Sequence, residues 1–312
     1  MSSQLLKRPL PYLALILAHL IWGAVFVVAK ISLEEFPPMS LAFLRFALAS
    51  LLLAPFLLTQ TKKIKIDKED LPKLIANGVF IVTLNIAFFF EGIKKTTAID
   101  ASVLSLTIPL LSVILGWWVL KEKVYKINIA GICLGLAGAL VIVGLPQLLV
   151  GKESPKVLVG NVLIIISSIA WVIGAVISKP ILNKYSSLIV TSIAFLVGTI
   201  TFILPAAFEY VQNPSWVDRV SILGILGLAF MVLLSSISAY FLFEWSLAKT
   251  SVVSANLFNY IEPFVATFLA VTILGETITP LFWVGAILIG LGVFLGTFAK
   301  ERYHRHHKAH RI

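Results

Sequence analysis

Apolar residues in this chain arrive in long runs, and the charged residues fall between the runs. Ten such runs lie near residues 10–31, 37–59, 73–93, 97–120, 126–146, 158–178, 186–208, 221–247, 252–274 and 280–299. A helix rising ~1.5 Å per residue needs about 20 apolar residues to cross the hydrocarbon core of a bilayer. Strands of a transmembrane barrel would instead alternate apolar and polar over about ten residues, and these Leu- and Ile-rich stretches do not. The pattern predicts an all-α integral membrane protein with ten transmembrane helices. The longest connections, near 60–72 and 209–220, are too short to hold a soluble catalytic domain.

Composition agrees with the pattern. Hydrophobic residues make up 59% of the 312 positions and charged residues 13%, against about 25% charged in a soluble domain. Mean hydropathy is +1.00. The lone cysteine, Cys133, falls inside the fifth run, which excludes an intramolecular disulfide and a cysteine metal cluster. Lys7 and Arg8 resemble the basic start of a signal peptide. The run that follows is too long for one, contains Trp22 and ends at Lys30, so it reads as a structural helix.

The formal net charge is +10, and its placement explains it. With ten spans both termini share one side. If that side is the cytoplasm, 18 of the 25 Lys and Arg residues face inward and six (Lys30, Lys94, Lys95, Lys152, Lys156, Arg219) face outward, with Arg45 inside a span. This bias predicts a multi-pass protein of the cytoplasmic membrane with both termini inside. The basic character then matches anionic lipid and gives no reason to expect nucleic acid.

The chain also repeats itself. Trp22 and Trp171 each precede a lysine, Lys30 and Lys179, by eight residues, at an offset of 149. At an offset of 154, Lys95-Thr96 matches Lys249-Thr250, Pro109 matches Pro263, Glu122 matches Glu276, Gly131 matches Gly285 and Gly138 matches Gly292. The division is 1–150, 151–300 and a basic, His-rich cytoplasmic tail at 301–312. Each repeat holds five spans. Five is odd, so the second copy is inverted relative to the first, an arrangement common in secondary transporters with a midplane site between the halves.

These residues resemble the drug/metabolite transporter superfamily, in its EamA-like ten-helix branch. The resemblance rests on Trp22-Gly23 with Lys30, on Arg45-Phe46, and on Lys95-Thr96-Thr97-Ala98 leading through Ala101-Ser102 to Pro109 and Glu122. It rests equally on the second copy, Ala248-Lys249-Thr250-Ser251 leading to Glu262-Pro263 and Leu274-Gly275-Glu276. The chain departs from the family at Leu120-Lys121-Glu122, which lacks the usual glycine, and at the doubled base Lys94-Lys95. The resemblance implies a central cavity between the repeats and alternating access. It does not fix the cargo, because the branch spans exporters of amino acids, other metabolites and drugs.

Ionisable and polar groups within the spans mark the candidate site, since burying them in lipid is costly. Arg45 in the second helix has Ala194 as its repeat mate. It is a candidate to hold a substrate carboxylate. Glu262 sits mid-helix before Pro263, in a polar stripe with Asn256, Asn259, Tyr260 and Thr267; Ser102, Ser105, Pro109 and Ser112 form the matching stripe. Two such stripes suit two walls of one cavity. Trp22, Trp171, Asn85 and Tyr240 complete the substrate-binding candidates, with Tyr240 in a row with Ser236 and Glu244. Glu262, Glu244 and His19 are candidates for proton coupling. Glu91 reads as an interfacial partner of Lys94 or Lys95. Glycines at Gly131, Gly135, Gly138, Gly285, Gly292 and Gly296 predict close helix packing, within the monomer or across a homodimer.

The expected function is a secondary transporter moving small polar metabolites, amino acids or related compounds, out of the cell by alternating access. Alternatives are a nucleotide-sugar or drug carrier, or a membrane-embedded lipid-modifying enzyme. The last would need clustered catalytic groups at one interface, which this sequence lacks. The sequence predicts no catalytic residues, cofactor or metal site. The tail histidines His304, His306, His307 and His310 read as a solvated basic end. The expected partners are the small-molecule substrate and membrane lipid.

Overall fold

The computed structural model describes residues 9–61, 66–120, 126–142, 154–278, 280–292 and 295, which form helices and short connections without strands. The helices are α1 (Pro9–Glu35), α2 (Pro38–Thr61), α3 (Leu71–Ile93), α4 (Ala98–Leu104, continued by Thr107–Leu120) and α5 (Lys126–Ile142) in the first repeat. The second repeat holds α6 (Pro155–Ile181), α7 (Ser187–Gln212), α8 (Ile222–Lys249), α9 (Val252–Leu274) and α10 (Pro280–Gly292). Eight of them are long and apolar enough to cross a membrane; α5 and α10 are apolar but shorter in their described, strongly apolar parts. Their outward faces carry exposed Leu51, Leu204, Ile222 and Phe264, as lipid contact requires.

Local chemistry sets the ends. Pro38 and Pro155 open α2 and α6, where a missing N–H costs nothing. The Ser186 and Ser221 hydroxyls accept from the first free N–H groups of α7 and α8. Gly275, at φ +66°, closes α9 in the left-handed region. One boundary differs from the sequence pattern. The long connection expected near 209–220 is mostly helical, because α7 runs to Gln212 and Pro214–Arg219 forms a 3₁₀ turn. The cause is Glu209, whose carboxylate accepts from Met39 N (3.1 Å), Ser40 N (2.7 Å) and Ser40 Oγ (2.8 Å). These bonds hold the last turns of α7 against the start of α2.

The packing displays the inverted repeat. α1 packs on α8 and α9, and its mate α6 packs on α3 and α4. α2 packs along its own mate α7. α5 meets α10 through glycines in a reciprocal pattern. A Cβ at Gly138 would lie 2.6 Å from Gly285 O, and one at Gly292 would lie 2.5 Å from Gly131 O. Since Gly131 matches Gly285 and Gly138 matches Gly292, each contact is the image of the other, as a two-fold axis demands. These glycines therefore serve packing inside one chain; Gly296 lies outside the described residues.

Candidate functional site

Two irregularities recur at matching places and shape the centre of the bundle. α3 and α8 each contain a π-helical segment, Val79–Leu84 and Met231–Tyr240. α4 breaks at Ser105 and Leu106, and α9 tightens into a 3₁₀ turn over Leu257–Tyr260. Both breaks stand one turn ahead of Pro109 and Pro263, whose missing N–H removes a helical hydrogen bond. The wider π turns release carbonyls. Ser235 O accepts from Trp22 Nε1 at 3.2 Å, and Ile81 O, its repeat mate, accepts from Tyr240 Oη at 3.3 Å. The aromatic walls are thus pinned to the irregular backbone.

Between these helices lies a cavity with about 90 Å³ of room for the centres of water-sized molecules. One water needs about 10–15 Å³ on that measure, so the space suits a small solute. Its walls include eight of the sequence candidates: Trp22, Arg45, Asn85, Ser105, Trp171, Tyr240, Asn259 and Glu262. Apolar lining comes from Phe26, Ile86, Phe89, Ile108 and Ile164 among others. Trp22 and Trp171 meet edge to face, ring centroids 5.0 Å apart, so each both lines the cavity and packs the repeat interface.

Arg45 is buried and its guanidinium is only partly used. Nε donates to Ser236 Oγ at 2.7 Å and Nη2 to Ser235 Oγ at 2.9 Å, while Nη1 is buried with no hydrogen-bond partner. No sequence pattern singled out Ser235. The row Ser236, Tyr240, Glu244 assumed a regular helix, and the π segment changes which residues share a face. Ser236 meets Arg45, Tyr240 lines the cavity, and Glu244 turns to Ser178 Oγ at 2.6 Å, away from the cavity lining.

Glu262 reaches the cavity from α9, and its Oε1 lies 2.7 Å from His19 Nδ1 on α1. His19 itself is buried behind the wall, edge-on to Trp22, with Nε2 unpartnered. Asn259 lines the cavity and its Oδ1 is also buried without a partner. Asn85 donates to Ser167 Oγ (2.9 Å) and Ser167 O (3.1 Å), which joins α3 to α6. The polar groups pair a symmetric scaffold with asymmetric chemistry. Glu262 matches Ile108, Tyr240 matches Ile86, and His19 matches Ser168.

Comparison with known proteins decides the family. The model of the EamA-like transporter family matches residues 9–144 and 158–298. This chain belongs to the EamA-like transporter family. An uncharacterized transporter of Archaeoglobus fulgidus is 31% identical over 286 residues, covering 92% of this chain and 96% of the relative. YoaV of Bacillus subtilis, an uncharacterized transporter, is 26% identical over 93% of this chain and 97% of its own. YedA of Escherichia coli K12, an uncharacterized inner membrane transporter, is 25% identical over 92% and 90%. A solved crystal structure superposes with a TM-score of 0.66 over 95% of this chain and 99% of its own, at 19% identity, which shows the shared fold. The protein is a multi-pass membrane transporter.

The remaining candidates of this EamA-like chain have other partners. Asn256 is buried between Trp171 Nε1 (3.2 Å) and Ser112 Oγ (2.8 Å), so it braces the tryptophan and does not face the cavity. Tyr260 ends the 3₁₀ turn and lies outside the lining. In the first-half stripe Ser102, Ser105 and Ser112 each donate to a carbonyl of their own helix, and of the three only Ser105 lines the cavity. Glu91 pairs with Lys95 one turn on. Among the described residues no group of three or more His, Cys, Asp or Glu could hold a metal; the tail histidines lie outside them. Glu122 also lies outside them. Its mate Glu276 accepts from Ala98 N (2.8 Å) and Ile99 N (3.0 Å), and so fastens the end of α9 to the start of α4.

Proposed function

We propose that this chain is a secondary carrier that exports small polar metabolites, amino acids or related compounds, by alternating access. The observation that carries the reading is the pair of unsatisfied groups on the cavity walls. Arg45 Nη1 is a buried cationic donor without a partner, and Asn259 Oδ1 is a buried acceptor without one, beside the Glu262 carboxylate. Leaving such groups unpaired costs about 1–3 kcal/mol each. A solute with a carboxylate at one end and an ammonium at the other satisfies both. Trp22, Phe26, Phe89 and Ile108 then take an apolar body.

The two inverted halves supply the motion. Exchange of their conformations turns an inward-open cavity into an outward-open one of related energy. The buried Glu262 carboxylate, in contact with His19, is the proton acceptor of this reading and gives the exporter its coupling. With the termini in the cytoplasm, the carrier works in the cytoplasmic membrane against a lipid surround, as a monomer or a homodimer.

A nucleotide-sugar carrier is the second reading. It is disfavoured because Arg45 is the only cation lining the cavity among the described residues, too little for a diphosphate. A drug carrier needs no such pairing of donor and acceptor, and a lipid-modifying enzyme needs catalytic groups at an interface. The test is flux of labelled amino acids into proteoliposomes, with and without an imposed pH gradient. Saturable flux that steepens with the gradient is the expected result. No flux across the amino-acid panel would remove the substrate class.

A further inference from the structure

The repeat arithmetic links two polar clusters at opposite ends of the bundle. Glu35 lies five residues beyond Lys30, and Lys184 lies five beyond Lys179, so Glu35 and Lys184 are repeat mates at the 149 offset. Glu35 ends α1, and Lys184 lies in the turn that follows α6. Each also reaches the residue that stands at the head of the third helix of the other repeat. Glu35 accepts from Ser221 N at 2.7 Å and from Ser221 Oγ at 2.6 Å, and Ser221 is the N-cap of α8. Lys184 Nζ donates to Asp70 Oδ2 at 2.5 Å and to Asp67, and Asp70 is the N-cap of α3. Tyr185 strengthens the second cluster by donating to Asp70 Oδ2 at 2.7 Å and accepting from Asp67 N at 3.1 Å.

The two clusters therefore do one job at the two faces of the membrane. Both tie α1 or α6 to the third helix of the opposite repeat, and those helices carry Trp22, Trp171, Asn85 and Tyr240 around the cavity. The fit at the Glu35 end is close. Gly224 sits where any side chain would run into the Glu35 carboxylate, so the absence of a Cβ there is what admits the contact. Both clusters are polar and partly exposed, with Lys184 at 52% and Asp67 at 55% side-chain exposure. Exposed pairs of this kind are weak, so they can break and re-form within a transport cycle.

We propose that Glu35–Ser221 and Lys184–Asp67/Asp70 are the paired access locks of this carrier. Release of the first opens the cavity to one face, and release of the second opens it to the other. This rests on the carrier reading above but on no particular substrate. With the termini inside, the Lys184 lock guards the cytoplasmic face and the Glu35 lock the outer face. The two locks are alike in position and unlike in chemistry. One is a lysine between two carboxylates, and the other is a carboxylate on a helix N-terminus. Each can therefore be weakened alone.

The test measures cavity access without any substrate, so failed amino-acid flux and a failed lock give different results. The reporter is Ser168→Cys, a near-isosteric change at a cavity-lining position, in a Cys133→Ser background. A membrane-impermeant maleimide is applied to sealed right-side-out and inside-out vesicles. Lys184→Ala is expected to raise the labelling rate severalfold from the cytoplasmic face and lower it from outside. Glu35→Ala is expected to do the reverse. Lys184→Glu combined with Asp70→Lys re-forms the pair with its charges exchanged and is expected to return labelling toward the parent. If either alanine variant fails to purify as a monodisperse protein, Lys184→Gln and Glu35→Gln replace it, with the same expectations. Labelling that rises from the same face in both variants, or that moves in neither, overturns the proposal.

Discussion

His19 and Glu262 lie 243 positions apart in the chain and 2.7 Å apart in the fold, Nδ1 to Oε1, both buried. The contact joins the first helix of one repeat to the fourth of the other, at the wall of the cavity. Removing one partner strands the other, which in a buried pair costs about 3–5 kcal/mol. Glu262→Ala and His19→Ala are each expected to lower the thermal unfolding midpoint in detergent. His19→Leu combined with Glu262→Met is expected to lie closer to the parent than either single variant. Additive losses in the double variant would show that the pair is not coupled.

Glu262→Gln keeps the shape and removes the titratable proton. It is expected to retain folding and to abolish the steepening of flux by a pH gradient. The comparison of initial rates with and without the gradient checks this, and a full gradient response in the variant would assign coupling elsewhere, with Glu244 next in line.

Arg45 engages Ser235 and Ser236 through two nitrogens and keeps Nη1 free. A lysine has one ammonium at the end of a flexible stem and cannot reproduce that fork. Arg45→Lys is therefore expected to raise the apparent KM about tenfold, equivalent to about 1.4 kcal/mol, with protein yield unchanged. Ser235→Ala combined with Ser236→Ala is expected to give a similar rise, because the guanidinium loses both anchors. An unchanged KM in both variants would move the carboxylate site off Arg45.

The glycine seam between α5 and α10 leaves no room for a methyl group. At Gly138 and Gly292 the nearest obstructing atoms are backbone, which cannot rotate aside. Gly138→Ala and Gly292→Ala are each expected to destabilise the protein by about 1–3 kcal/mol, read as a fall in unfolding midpoint. Gly290, which has open space around it, provides the control: Gly290→Ala is expected to be near neutral.

The lock at Lys184 has a calculable response to pH. Hydrogen bonds from Lys184 and Tyr185 hold the Asp70 carboxyl below its ordinary value of 3.8. The contacts with Asp67 and Asp70 push the Lys184 ammonium above its ordinary value of 10.5. A depressed acid contributes its stabilisation above the ordinary value and loses it as pH falls through the folded value. A raised base contributes below its ordinary value and loses it as pH rises through the folded value. Both groups are therefore fully engaged between about pH 5 and 9. The ratio of cytoplasmic-face to outer-face labelling, in which the pH dependence of the reporter thiolate cancels, is expected to be flat across that range and to rise with ionic strength, since the pair is exposed. A step in that ratio near neutral pH would point to a different titrating group.

The helices were legible because lipid imposes its requirement on every residue of a span. Ten apolar runs, the matched Trp22/Lys30 and Trp171/Lys179, and the odd number of spans per repeat were enough to derive the inverted architecture. Eight of the ten substrate candidates line one cavity because unpaired polarity in lipid is rare enough to be informative. Asn256, Tyr260 and Glu244 lie off the cavity lining, and one cause covers all three: regular helical spacing puts them on the polar rows, and the 3₁₀ turn at Leu257–Tyr260 and the π segment at Met231–Tyr240 break that spacing. No local sequence signal marks a π turn. Ser235, whose hydroxyl and carbonyl both serve the site, could not be told from its neighbours for the same reason.

The uneven chemistry on an even frame also bears on how such a carrier changes its cargo over generations. Glu262 corresponds to Ile108, Tyr240 to Ile86, and Arg45 to Ala194. Duplication supplied two copies of each position, and packing needs both backbones but only one of the two side chains for recognition. The silent member of each couple is a reserve. A single substitution at Ile108, which already lines the cavity, brings a new polar group to its wall while the glycine seam between α5 and α10 stays as it is. Lineages with this fold can thus trade one solute for another by few steps, without passing through a form that fails to assemble.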